Sequence, residues 1–197
     1  MVDSTASGYM QATGTVPLSD DELADALQAW VVGITGITGS LVRPRWQSVA
    51  PNRPGLDVDW CAIGVTEETP EAGIPYLEQQ GDDDSGTGTE RLQRYTAVDI
   101  LASFYGPHAA RYAGLLLDGA TIRNNLDELA LSGLVFIDSG PIRSVPEQFQ
   151  QIWVYRVDLP IKLARQIRRV YPVRNVVRAT GTITSVTSHS QFDTENA

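Results

Sequence analysis

The stretch WVYRVDLPIKLARQIR, Trp153 to Arg168, carries the strongest structural signal in the chain. Its odd positions Trp153, Tyr155, Val157, Leu159, Ile161 and Leu163 are all apolar, whereas Arg156, Asp158, Lys162, Gln166 and Arg168 at even positions are polar. Successive side chains of a strand point to opposite faces, so a period of two over this length specifies a long amphipathic strand with one face in a core. Pro160 has no N–H to give to a ladder and points to a sheet edge or a bulge. A helix over 161–170 is the alternative for the second half. Tyr171-Pro172 reads as a break, Val176 to Val186 as a last strand rich in Val, Thr and Ile, and 188–197 as a frayed tail.

Working back from this strand, Leu92 to Tyr105 has the same period, with Val98, Ile100, Ala102 and Phe104 apolar and Gln93, Asp99 and Ser103 between them. Asp59 to Val65 reads as another strand, and Leu41 to Gln47 as a short one that Pro44 pushes to an edge. A poor strand around 74–80 forms a hairpin with 90–105 across the acidic loop GDDDSGTGT, Gly81 to Thr89. Three segments have helical spacing instead. Leu23, Leu27, Trp30, Val31 and Ile34 predict a helix over 20–34, opened by the capping box Ser19-Asp20-Asp21-Glu22 and stopped by the glycines of 33–39. Gly106-Pro107 opens a second helix with Ala109, Tyr112, Ala113, Leu116 and Leu117 inward, and Thr121 to Leu131 forms a third, ended by Ser132-Gly133. Leu134 to Ile137 is a short strand. Runs of both kinds in one chain specify an α+β fold: one mixed, mainly antiparallel sheet with two to three helices packed on it. Residues 1–18 read as a flexible arm, 19–186 as a single domain and 187–197 as a flexible tail.

At 197 residues, with 42% hydrophobic and 20% charged residues, the chain has the composition of a globular protein with a full core. No run of 18 apolar residues occurs, and Met1 to Pro17 is polar, which predicts neither a membrane span nor a signal peptide. The lone Cys61 excludes a disulfide scaffold and a cysteine-based zinc site and fits a soluble product of a reducing compartment.

The net charge of −9 is unevenly spread. Residues 1–90 carry 15 acids and 3 bases, whereas 156–178 carry one acid, Asp158, and seven bases. Those bases are Arg156, Lys162, Arg165, Arg168, Arg169, Arg174 and Arg178. Phosphate affinity grows with the number of neutralising cations, so an acidic chain is a poor general nucleic-acid binder. It suits an assembly in which unlike patches meet. Fourteen of the 15 bases are Arg, the residue best suited to interface ion pairs, although a GC-rich genome produces the same bias.

No catalytic constellation emerges. The glycines of 33–39 follow a helix and lack the Lys of a phosphate loop, so they read as a helix terminator. Asp82, Asp83 and Asp84 are consecutive in a loop and lack the spacing of a calcium site. His108 and His189 are not accompanied by any G-x-S-x-G nucleophile motif, and they read as surface residues. Trp46 and Trp60, near Arg43 and Arg45, could stack single-stranded bases but read better as core or interface residues. Cys61 reads as a small buried hydrophobe. The chain is expected to have no cofactor and no enzymatic activity.

Four stretches resemble the neck or tail-terminator proteins of tailed bacteriophages, above all contractile-tailed ones. They are LVRPRWQ (Leu41 to Gln47), DWCAIGV (Asp59 to Val65), YTAVDILASFYGPHA (Tyr95 to Ala109) and RVDLPI (Arg156 to Ile161) running on to RVYPV (Arg169 to Val173). The resemblance implies a structural virion protein, assembled in the host cytoplasm, that forms a ring, usually of six subunits. The ring ends the tail tube, meets the head connector or adaptor and the sheath, and leaves a channel for DNA that it does not bind specifically. A head-completion adaptor one ring higher is the alternative, followed by a small nucleic-acid-binding module. Charge then nominates Arg156, Lys162, Arg165, Arg168, Arg169 and Arg174, with Asp82, Asp83 and Asp84, as candidate contacts between subunits or with partner rings.

Overall fold

Alternation makes the 153–174 region a strand rather than a helix, and it runs further than its prolines suggest. The computed structural model describes residues 7–16, 20–47, 52–72, 75–80, 87–174, 178–184 and 189–195. In chain order the elements are β1 (Gly14–Val16), α1 (Asp20–Thr35), β2 (Val42–Pro44), β3 (Trp60–Pro70), β4 (Tyr76–Gln80), β5 (Thr87–Tyr105), α2 (Ala109–Gly119) and α3 (Arg123–Leu131). There follow β6 (Leu134–Ser139), β7 (Arg143–Ser144), β8 (Glu147–Phe149), β9 (Ile152–Val154), β10 (Arg156–Arg174), β11 (Arg178–Thr184) and β12 (His189–Glu195). The fold is α+β, as the sequence predicts.

The chain divides into two compact units, to both of which β5 and β10 contribute. In the larger unit, residues 17–72 and 95–166, the strands lie in the order β10-β5-β3-β2. The β5–β3 pairing is antiparallel, and β2 runs parallel to β3. First β7 and then β6 line the other edge of β10, both antiparallel to it. Val157, Leu159, Ile161 and Leu163 of β10 are buried with Val98, Ile100, Ala102 and Phe104 of β5. Leu23, Leu27, Trp30 and Val31 of α1 join this core, as do Ala113 and Leu116 of α2. At about 1.5–3 kcal/mol for each large side chain fully buried, this cluster is the main stabilising term of the unit.

The smaller unit holds residues 1–16, 73–94 and 167–197. Its β4 pairs with the first part of β5 from Gln80↔Thr89 to Tyr76↔Gln93, which is the expected hairpin. Its β1 pairs with β10 from Gly14↔Val170 to Val16↔Arg168, so the end of the predicted arm is a strand. Its β11 pairs with β12 along seven residue pairs, from Arg178↔Glu195 to Thr184↔His189, where a frayed tail was expected.

Three further expectations are corrected. First, β10 runs through Tyr171-Pro172 to Arg174 without a break, and β1 pairs with it up to Val170. Second, Pro160 sits inside a paired strand and not at an edge: it falls between the residues bonded to β7 and those bonded to β6. There its carbonyl accepts from Gly140 N at 2.9 Å, and no N–H is required of it. A bulge does occur nearby, between Lys162 and Leu163. Third, the inward phase does not extend back to Trp153 and Tyr155. The chain leaves strand geometry at Tyr155, and a slip of one residue exchanges the faces, so Val154 is buried while Trp153 is 69% and Tyr155 45% exposed.

The first helix ends where Gly36 adopts φ +72, a conformation open to glycine, and donates to Val32 O at 2.9 Å. Ser19 of the predicted capping box lies outside the described residues. The second helix begins at Ala109, two residues later than Gly106-Pro107 suggests, because Asp59 takes the free donor there. Its Oδ1 accepts from His108 N at 2.8 Å, and its Oδ2 lies 2.9 Å from His108 Nδ1.

Candidate functional site

Of the cations that charge arithmetic nominates, the first three are engaged within the chain. Arg156 forms a bidentate pair with Asp158, Nε to Oδ1 and Nη2 to Oδ2, both at 2.8 Å, and its Nη1 donates to Glu147 at 3.2 Å. Residues i and i+2 of a strand share a face, so this fork is built into β10 itself. The bonds to Asp158 hold the Arg156 guanidinium above its ordinary pKa against the opposing effect of burial. Lys162 Nζ lies 3.6 Å from Asp99 of β5. Arg165 Nη2 reaches both oxygens of Glu68 in β3.

Arg168, Arg169 and Arg174 lie beyond these. Arg168 and Arg174 are exposed and Arg169 is half-buried. Among the described residues, Arg168 and Arg169 have no acidic partner. The period of two puts Arg168, Val170, Pro172 and Arg174 on one face, an apolar centre between two guanidinium groups. Asp82, Asp83 and Asp84, the acids nominated alongside, lie outside the described residues.

Glu147 links Arg156 to a second arginine that sequence reasoning passed over. Its other oxygen accepts from Arg53 Nη2 at 2.8 Å. The Arg53 guanidinium lies 5.1 Å from the Tyr105 ring centroid and 5.0 Å from that of Phe149, with Trp60 at 5.9 Å. Trp60 and Tyr105 stack, centroids 4.1 Å apart and planes inclined by 6°. Burial raises the Tyr105 phenol above its ordinary pKa, partly offset by the positive charge of Arg156. These groups come from four separate stretches of chain. The only hint in the sequence is that Trp60 and Tyr105 stand at the ends of two strands that pair.

A groove of about 1210 Å³ runs between the N-terminal half of α1 and the β2–β3 edge of the larger unit. Leu27 and Ile63 lie at its base, Val65 and Trp46 are exposed in its wall, and Trp46 is 86% exposed. Asp20, Asp21 and Asp25 of α1 and Glu68 of β3 line it with a single base, Arg45, whose Nη1 donates to Ser103 at 2.9 Å.

Other nominated residues have structural work. Cys61 is fully buried, and burial pushes its thiol well above its ordinary range, which suppresses the reactive thiolate. His108 is exposed and tied to Asp59, where the pair starts α2. Trp60 is half-buried in the stack described above. No group of three His, Cys, Asp or Glu able to hold a metal ion occurs among the described residues. No helix among them is long and apolar enough to cross a membrane.

The site is thus a set of surfaces: an outward basic strand face, an apolar groove with acids on its α1 wall, and the hairpin in which β8 pairs with β9 and leaves Phe149 and Trp153 exposed. That is the equipment of a subunit that meets other proteins. No curated protein matches the sequence. Residues 21–187 match the family described as phage neck terminator protein, which spans both the core and the basic strand. The chain belongs to the phage neck terminator family, a structural component of the virion neck.

Proposed function

We propose that this chain forms a ring, of six subunits, at the end of the tail tube, where it stops tube growth and joins the tube to the head connector. The observation that carries this reading is the family match over residues 21–187. The partners are further copies of the chain, the tube protein below, the connector or adaptor above, and in a contractile tail the sheath. Genomic DNA passes through the lumen without specific binding. A net charge of −9 favours that passage, since a strongly basic wall would hold the duplex.

Within the basic segment, Arg168, Arg169 and Arg174 are the contacts with a neighbouring subunit. Arg156, Lys162 and Arg165 pair with acids of their own chain. A ring closes when one surface of a subunit meets a different surface of the next through a rotation that returns to the start.

The test is light scattering across a concentration series, with negative-stain images of the same fractions, alone and with isolated tail tubes. A closed ring with a central hole, alone or seated on tube ends, is the expected result. Binding to portal complexes and not to tube ends would replace the terminator role with that of an adaptor. A chain that stays monomeric on both would overturn the ring.

A further inference from the structure

We propose that a second groove, between α1 and α3, receives the β8–β9 hairpin of another copy of the chain. The proposal rests on the ring reading and names its two mating surfaces.

The groove has a volume of about 330 Å³, at the lower end of the ~300–1,000 Å³ of ligand sites, so it takes a few side chains and not a whole strand face. Ala26, Ala29 and Gly33 line its α1 wall, and their small size leaves the space open. Trp30 lines it too. That residue is 6% exposed, and its indole Nε1 is buried with no hydrogen-bond partner among the described residues. A donor taken out of water without an acceptor is unfavourable, so the groove lacks an acceptor. On the α3 side Glu128 is exposed without a basic partner among the described residues, and Leu131 is 81% exposed. An occupant must therefore be slender, apolar and free of negative charge. It must also accept from an indole and donate to a carboxylate.

An amide side chain does both, and the β8–β9 hairpin carries three. Gln148, Gln150 and Gln151 are exposed beside Phe149, Ile152 and Trp153, which are 46%, 51% and 69% exposed. The one charged residue of the hairpin, Glu147, is paired with Arg53 and Arg156. Its tip is neutral and can approach Glu128 without repulsion.

The two surfaces stand at opposite ends of α2. The hairpin lies at its start, where the Arg53 guanidinium sits over the rings of both Tyr105 and Phe149. The groove lies at its end, where Gly119 packs on Ile34 and its carbonyl accepts from Asn125 Nδ2 at 2.8 Å. Eleven helical residues at ~1.5 Å each put about 16 Å between them, so a chain's hairpin does not fill its own groove. Contact between these different surfaces of two copies is head-to-tail, the kind that closes rings.

The test is sedimentation velocity of the full-length chain, alone and with isolated tail tubes, with thermal melts to confirm folding. Gly33→Leu fills the groove. A Cβ at Gly33 meets nothing within 4 Å, and Leu is the better helix former, so this variant should keep or raise Tm while self-association weakens tenfold or more. Gln150→Glu/Gln151→Glu sets acids opposite Glu128 and should weaken association to a similar degree. Adding Glu128→Gln to that variant should restore a large part of the loss, because the repulsion is removed.

Wild-type association that neither Gly33→Leu nor the glutamine variant weakens would overturn the proposal while leaving the ring in place. Weakening by Gly33→Leu alone would mean a different occupant and would equally overturn it, as would a glutamate defect that Glu128→Gln fails to relieve. If the wild type stays monomeric both in solution and on tubes, the ring reading itself fails.

Discussion

Arg165 of β10 donates through Nη2 to both carboxylate oxygens of Glu68 in β3, at 2.8 and 2.7 Å, while its Nε and Nη1 are buried with no partner among the described residues. The pair is asymmetric: the Arg165 side chain is 11% exposed and that of Glu68 33%. Water can solvate the acid alone, but not the base. Glu68→Ala should therefore cost about 2–3 kcal/mol, somewhat less than the full cost of leaving a buried charge unpaired. Arg165→Met, which removes the buried charge and keeps the volume, should cost about 1 kcal/mol or less. Urea midpoints of the two variants decide this, and the reverse order would contradict the burial asymmetry.

The β8–β9 hairpin turns through Gln150 and Gln151, with φ of 47 and 64. Two positive φ values at the centre of a two-residue turn match the right-handed twist of the strands, but the favoured residues there are Asn-Gly. Gln150→Asn/Gln151→Gly should raise stability by about 0.5–1 kcal/mol, read as an upward shift in Tm. An unchanged or lower Tm would show that this turn is not under strain.

Gly106 has φ +103, and a Cβ there would lie 2.6 Å from Val58 O and 2.6 Å from Asp59 Oδ1. Both neighbours are committed, the second to starting α2 through His108. Gly106→Ala should cost at least about 2 kcal/mol, from the strained φ and the clash together. It should also weaken the Asp59–His108 contact, visible as a changed chemical shift of the His108 backbone amide by NMR. A silent substitution would mean that the Asp59 loop yields easily.

Burial of Cys61 predicts a pH effect with a definite sign. Its folded pKa is raised, so its thiol stays protonated when the unfolded chain has already lost that proton. The associated stability is intact below the unfolded value, near about 8.5, and is lost as pH rises above it, at up to about 1.4 kcal/mol per pH unit. Cys61→Ala should be less stable than wild type at pH 8, through lost packing, and that gap should shrink by about 1 kcal/mol by pH 9.5. Tyr105 shares the sign but begins to act nearer pH 10, and it is present in both proteins. A constant gap would refute the buried thiol.

Most of the secondary structure was legible because one face of each element is buried. Period two at 157–163 and at 98–104, and helical spacing at 23–31, are direct imprints of a two-layer core, and these same residues make up the buried cluster. The charge asymmetry was legible too, since it needs only counting. What misled the local reading were Pro160 and Pro172: a proline forbids one hydrogen bond, but whether that bond is needed depends on which strand lies alongside. The strand β1 likewise depends on a partner distant in the chain, more than 150 residues away on β10.

The same division runs through the candidate surfaces. The order of residues along the chain determined an acidic α+β protein with a basic stretch. Only the tertiary structure could decide which of those cations meet which acids: Arg156, Lys162 and Arg165 are taken by Asp158, Glu147, Asp99 and Glu68. Apart from Asp158, those acids stand far from their partners in sequence or on another strand. A side chain's charge is a property of its residue type and can be read from a string of letters. Its availability is set by what lies within about 4 Å once the chain has folded, and that distance exists only in three dimensions.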